Sequence, residues 1–189
     1  MKIIAITTPK VIPEDAYIIA RLLDKGVDIV HLRKPESSVE ECRELLFALD
    51  RVYRERIVVH DYPELFYEFA LRGVHLNRNV KALPEGYNGS KTRSCHSLEE
   101  VVRYKDECDY LLLSPIFDSV SKVGYRSAFD DDSLRKASFS GVIDSKVIAL
   151  GGVTFDRIEY LRELNFGGVA MSGAIYRLDV ATHLHDMHR

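Results

Sequence analysis

Eight short, mostly apolar runs of strand length recur along the chain, and most are followed by a segment with helical spacing. They are Lys2–Thr7, Val27–Arg33, Arg56–His60, Val74–Leu76, Thr92–Cys95, Tyr110–Ser114, Lys146–Leu150 and Gly168–Met171. A helix between two strands carries the chain back before the next strand starts, so neighbouring strands run parallel. Eight such units without a linker or low-complexity break fit an α/β fold of the closed (β/α)8 TIM-barrel type. They fit the runner-up, an open doubly wound sheet, less well. Residues 1–189 read as a single domain. At 189 residues the chain is short for such a barrel, which usually needs about 200 or more, so some elements must be trimmed. The stretch from Leu76 to Gly89 contains Pro84, Gly86 and Gly89 and lacks helical periodicity. It reads as a fourth helix reduced to a turn. The C-terminal helix, Ala181–His188, reads as abbreviated.

Start and stop signals place the other helices. Glu14–Lys25 ends at Gly26. Ser37 and Ser38 each stand three residues before a glutamate, Glu40 and Glu41, and either can cap a helix running to about Arg54. Pro63–Leu71 ends before Gly73. Ser97-Leu98-Glu99-Glu100 has capping-box spacing. Asp131–Ala137 is expected to be capped from within Asp130–Asp132, and Phe155–Leu164 from Thr154. The net charge of −3 gives no general attraction to nucleic acid. No apolar run approaches the roughly 18 residues of a membrane span, and the start is too short for a signal-peptide core. Cys42, Cys95 and Cys108 are odd in number and lack CxxC spacing, which points to reduced thiols and a cytoplasmic location.

Barrel enzymes work at the C-terminal ends of their strands, so candidates are sorted by strand. Val147–Val153 and Gly167–Ile175 both pass from an apolar run into glycines and then a helix-capable segment. Such junctions leave backbone N–H groups free for an anion, or simply let strand and helix pack closely. Strand 2 places His31 and Arg33 on one side and Val30 and Leu32 on the other. Arg33 needs an anion there, either a carboxylate of the protein in a structural ion pair or a ligand group. Strand 3 gives His60 and Asp61, the latter a single carboxylate that could hold Mg²⁺ or cap a helix. Strand 4 gives His75. Strand 5 gives Ser94, Cys95 and His96. Histidines at successive strand ends invite a zinc reading, but they lack close pairs and carboxylate support. His96 carries an imidazole suited to a general acid or base, or is a solvated loop residue. Cys95 lacks a third group to orient a Cys–His pair. After strand 6, Ser119, Ser121 and Lys122 could clamp an oxyanion, with Gly124 letting the loop move, or form a polar surface loop.

Several of these motifs together resemble the thiamine phosphate synthase/TenI superfamily. They are V-I-A-L-G-G-V-T, G-V-A-M-S-G-A-I, V-H-L-R, S-P-I-F-D-S-V-S-K and R-S-C-H-S-L-E-E. The resemblance covers nearly the whole chain in order. It implies a (β/α)8 barrel that binds thiazole phosphate on the N–H groups of Gly152, Ser172 and Gly173, and a homodimer. The synthase branch joins an aminopyrimidine diphosphate to thiazole phosphate, with Mg²⁺ on two aspartates. Arg33, Asp61, Ser94, Ser119, Ser121 and Lys122 match it, whereas Pro35 replaces its lysine and Val80 its second aspartate, and His31 stands at a glutamine-like position. The TenI branch includes thiazole tautomerases, which need an acid/base and an anion site and no cofactor. His96 falls on the tautomerase histidine, and Lys34 reverses the charge of its carboxylate. The favoured expectation is tautomerisation, with His96, Arg33 and Lys122 catalytic and His31, Lys34, His60, Ser94, Ser119 and Ser121 contacting substrate. Mg²⁺-dependent synthesis is the alternative, with Asp61 as metal ligand. A binding protein without turnover is a further one, and a generic sugar-phosphate barrel enzyme is weaker.

Overall fold

A computed structural model of the chain describes residues 1–83, 85–118, 127–172 and 175. Its eight strands are β1 (Lys2–Ile6), β2 (Ile29–Leu32), β3 (Ile57–Val59), β4 (Gly73–Leu76), β5 (Ser90–Cys95), β6 (Tyr110–Leu113), β7 (Val147–Leu150) and β8 (Gly168–Met171). All pair in parallel in sequence order, and β8 returns to β1 with Ile3 opposite Val169, which closes the barrel. The described helices are α1 (Asp15–Asp24), α2 (Val39–Phe47), α3 (Arg51–Arg54), α4 (Glu64–Phe69), α5 (Leu98–Tyr104), α6 (Asp131–Phe139) and α7 (Ile158–Glu163). Among the described residues no helix lies between β4 and β5, where a turn was expected. The proposed C-terminal helix, Ala181–His188, lies outside them.

Strand alternation divides the core in two. Val30, Leu32, Val59, Leu111, Leu113, Ala149 and Val169 point outward and join the helix faces in one large cluster. Ile4, Ile6, Ile29, Val58, Tyr110, Leu112, Ile148 and Ala170 form a second cluster inside the barrel. The two-residue period explains the split, since successive side chains take opposite faces.

The caps fall largely where the residues direct them. Ser38 caps α2 with the full box to Glu41. Ser37 is buried instead, and its Oγ accepts the Val11 N–H at 2.8 Å. Asp130 caps α6 through the Ser133 N–H. Three expectations need correction. The helix to Arg54 is interrupted, because Ala48 ends α2 and extended Asp50 starts α3. Between them the chain turns to bury Leu49. Ser97 accepts from the Glu100 N–H, but Glu100 reaches back to the His96 N–H at 2.6 Å, one residue beyond a capping box. Thr154 makes no side-chain cap; a 3-10 turn, Phe155–Arg157, precedes α7.

Candidate active site at the barrel mouth

The end of β7 is shaped by two consecutive glycines in the left-handed region, Gly151 at φ 93° and Gly152 at φ 62°. The segment after β6 lies directly on them: Ile116 N–H donates to Leu150 O at 2.9 Å and Phe117 N–H to Gly151 O at 3.0 Å. A Cβ on Gly152 would stand 2.4 Å from the Asp118 carbonyl oxygen. Both the conformation and the space therefore demand glycine. Among the described residues no acceptor engages the backbone N–H groups of Gly152, Val153 or Ser172. Ser172 follows β8 and is exposed. Gly173 lies outside the described residues. We expect Gly152→Ala to lower stability by roughly 1–3 kcal/mol, measured by urea unfolding.

The loop after β6 is pinned at both ends. Ala128 N–H donates to Pro115 O at 3.1 Å, and Ser127 N–H to Asp118 Oδ1 at 2.6 Å. Ser119, Ser121, Lys122 and Gly124 belong to the stretch between, outside the described residues.

Across the mouth, β2 delivers Arg33. Its backbone is held to Thr7, with N–H donating to Thr7 Oγ1 at 2.9 Å. The side chain is exposed, and among the described residues no carboxylate lies within ion-pair distance. Its charge adds to burial and to stronger neighbouring groups in depressing His60 and His75. Lys34 departs from expectation. It is 1% exposed, and its ammonium donates to Asp15 Oδ2 at 2.6 Å and to Lys10 O at 2.9 Å. The reversed charge is answered by Asp15 inside the protein, so the Lys34 ammonium is not presented to a ligand at the mouth as expected.

His31 also departs. It is fully buried one layer below the mouth, with Nδ1 2.8 Å from His60 Nε2 and Nε2 2.6 Å from the Tyr110 hydroxyl. Both nitrogens are used by the protein, so His31 supports the site rather than touching substrate. His60 is 5% exposed at the top of this chain. His75 stacks on it at 4.0 Å and 16°, and bonds Thr92 Oγ1 at 2.7 Å and Ser94 Oγ at 2.9 Å. Burial is the main cause that lowers all three histidines, with His75 pulled down to about 3. They are neutral at pH 7. The residue pattern did not disclose this interior polar network. Its only signal was the two-residue phase that puts His31, His60, His75, Thr92, Ser94 and Tyr110 on inward positions.

The three rings offer nitrogens within 4.8 Å of one another. Tetrahedral zinc needs in-plane lone pairs that converge, and two rings stacked at 16° cannot both aim at one ion. Arg33, Arg72 and Arg93 add positive charge, and among the described residues no carboxylate joins the group. The arrangement does not suit zinc. Nor do the residues form the two-aspartate Mg²⁺ set. Asp61 is half-buried beyond β3, while Val80 is 7% exposed and packs in the outer core. The turn around it is held by Asn77 Oδ1, which accepts the Asn79 and Val80 N–H groups at 2.8 and 2.9 Å.

His96 follows β5 and is exposed, with Nδ1 3.0 Å from the Ser114 carbonyl oxygen. A carbonyl only accepts, so Nδ1 carries the hydrogen and Nε2 keeps its lone pair. Cys95 beside it is buried, and burial pushes its thiol up to about 12, which disqualifies it as a nucleophile.

The fold and the site together define a parallel β/α barrel with a glycine-lined amide corner at β7 and β8 and basic and imidazole groups across the mouth. The family model described as thiamine monophosphate synthase matches residues 3–175, and the chain belongs to that family. A thiamine-phosphate synthase of Photorhabdus laumondii is 29% identical over 166 residues, covering 83% of this chain and 76% of that protein. The crystal structure of a thiamine phosphate pyrophosphorylase from Bacteroides thetaiotaomicron is 36% identical, covers all of both chains and superposes with a TM-score of 0.88. A thiamine phosphate pyrophosphorylase from Pyrococcus furiosus, 22% identical, shares the fold with a TM-score of 0.78 over 99% of this chain and 93% of its own. No helix among the described residues is long and apolar enough to cross a membrane.

Proposed function

We propose that the chain binds thiazole phosphate across the barrel mouth and moves a proton on its carboxylated form, a TenI-like tautomerisation. The observation that carries this reading is the Nδ1–H of His96 held by Ser114 O. It leaves Nε2 as a base at the exposed mouth. Nε2 takes a proton from one carbon of the ligand, and the imidazolium returns one to another carbon as the ring becomes aromatic. No atom is gained or lost. The phosphate sits on the N–H groups of Gly152 and Ser172. Arg33 faces the ligand's other anionic group.

A second reading, coupling of an aminopyrimidine diphosphate to thiazole phosphate, is favoured by the names of the relatives. Val80 in place of the second aspartate counts against it, because it removes one of the two carboxylate charges that would hold the Mg²⁺ ion and leaves Asp61 with the substrate's own oxygens. Assay of both reactions, with and without a chelator, separates the two. We expect tautomerisation to survive the chelator and to fall at least about a hundredfold in His96→Ala, with ligand binding retained. Mg²⁺-dependent coupling that His96→Ala leaves intact would overturn the proposal in favour of synthesis. Binding without turnover of either substrate would leave a non-catalytic protein.

A further inference from the structure

We infer that Tyr110 and His31 are positioning residues that fix His60 as a neutral Nδ1–H donor at the mouth, where it meets an acceptor atom of the ligand. The inference rests on the proposed ligand and adds to it the hydrogen-bonding character of one wall.

The direction of the chain follows from its buried end. The Tyr110 ring is 2% exposed among Ile4, Ile29, Val58 and Leu112, and His31 Nε2 at 2.6 Å is its hydroxyl partner among the described residues. If His31 Nε2 carried the hydrogen, the phenol hydrogen would have no acceptor in an apolar interior. A buried donor without a partner is costly, so the phenol donates. Burial pushes the Tyr110 hydroxyl well above its usual range, so it keeps its proton. His31 Nε2 therefore accepts and its Nδ1 bears the hydrogen. That hydrogen goes to His60 Nε2 at 2.8 Å. A neutral imidazole with an accepting Nε2 carries its hydrogen on Nδ1, so each link dictates the next.

The ring of His60 is also fixed in orientation. His75 stacks against one face, and His31 meets it edge-on with centroids 5.0 Å apart. His75 is itself held at both nitrogens by Thr92 and Ser94. Asn77 Nδ2 donates to the His60 carbonyl at 2.6 Å, which holds the backbone. No described residue accepts from Nδ1 of His60, and that atom is not closed off from solvent. A neutral ring held this way presents a donor, so the adjoining ligand atom must be an acceptor.

Two-bond ¹H–¹⁵N spectra of ¹⁵N-histidine-labelled protein at pH 7.5 read the tautomers directly. The expected result for the unaltered chain is Nδ1–H for both His31 and His60, with His60 Nδ1 moving when thiazole phosphate is added. In His31→Leu, His60 should shift toward the Nε2–H form, and KM should rise about three- to tenfold for one lost hydrogen bond. An Nε2–H His60 in the unaltered chain would overturn the inference without need of any variant. A His60 unmoved by ligand that shifts the Gly152 and Ser172 amides would overturn it while leaving the proposed function standing. Ligand that shifts neither would remove the proposed function, whatever the tautomers.

Discussion

Lys34→Met is expected to cost about 3–5 kcal/mol of folding stability, although it removes one charge from a loop beside the mouth. The ammonium and the Asp15 carboxylate are 1% and 0% exposed and 2.6 Å apart. Without the ammonium, a carboxylate is left inside the protein with the Ile12 N–H on Oδ2 and no partner for Oδ1 among the described residues. A buried charge without compensation is far costlier than a pair replaced by apolar groups of similar size. The double variant Asp15→Leu/Lys34→Met should therefore recover most of the loss. Lys34 also bonds Lys10 O and reaches Thr8 Oγ1, so it ties the β1–α1 connection to the end of β2 next to Arg33. A double-mutant cycle by urea unfolding measures the coupling. A single variant that loses less than about 1 kcal/mol would show that the pair is not the anchor described.

The second large effect is loss of stability in mild acid. His31, His60 and His75 are buried and neutral, with folded values depressed below the ordinary histidine value of 6.5. Between the two values the unfolded chain binds more protons than the folded one. Stability is thus complete above about pH 6.5 and falls as pH drops, by about 1.4 kcal/mol per unit for each such histidine. For His75 the loss continues to about pH 3, and amounts to about 2 kcal/mol by pH 5. The other two act in the same direction. Against a usual total of about 5–15 kcal/mol, the barrel should unfold well before its carboxylates are neutralised. Urea unfolding at pH 7 and pH 5 tests this. His75→Gln, which keeps bonds to Thr92 and Ser94 but cannot charge, should flatten the slope. Equal stability at both pH values would contradict the account.

The barrel was legible because its cause is local. Strand-length runs alternate with capped helical segments, and parallel closure follows from that order. The turn after β4 was equally plain, since Pro84, Gly86 and Gly89 leave no helical stripe. What escaped depends on depth and on distant partners. A two-residue phase shows that His31 and Arg33 share a side, but not that one is a layer lower. That depends on stagger between strands: His31 pairs with Ile6 and Val58, while the His60 N–H bonds Leu32 O. Lys34 was misread for a similar reason. Its partner stands 19 residues earlier on another element, and a reversed charge looks like altered chemistry until the answering carboxylate is seen. For His96 only half of the surroundings is local: Glu100, four residues on, holds its N–H, whereas the Ser114 carbonyl that holds its ring comes from the end of the next strand, 18 residues away.

In the proposed function a ligand phosphate is held by main-chain amides where β7 and β8 end. Titrating ¹⁵N-labelled protein with thiazole phosphate and following backbone amide resonances tests it most directly. Saturable downfield shifts are expected at Gly152 and Ser172, larger than at any amide of the opposite end of the barrel. Saturating ligand that leaves those amides unmoved, or shifts only distant ones, would contradict it.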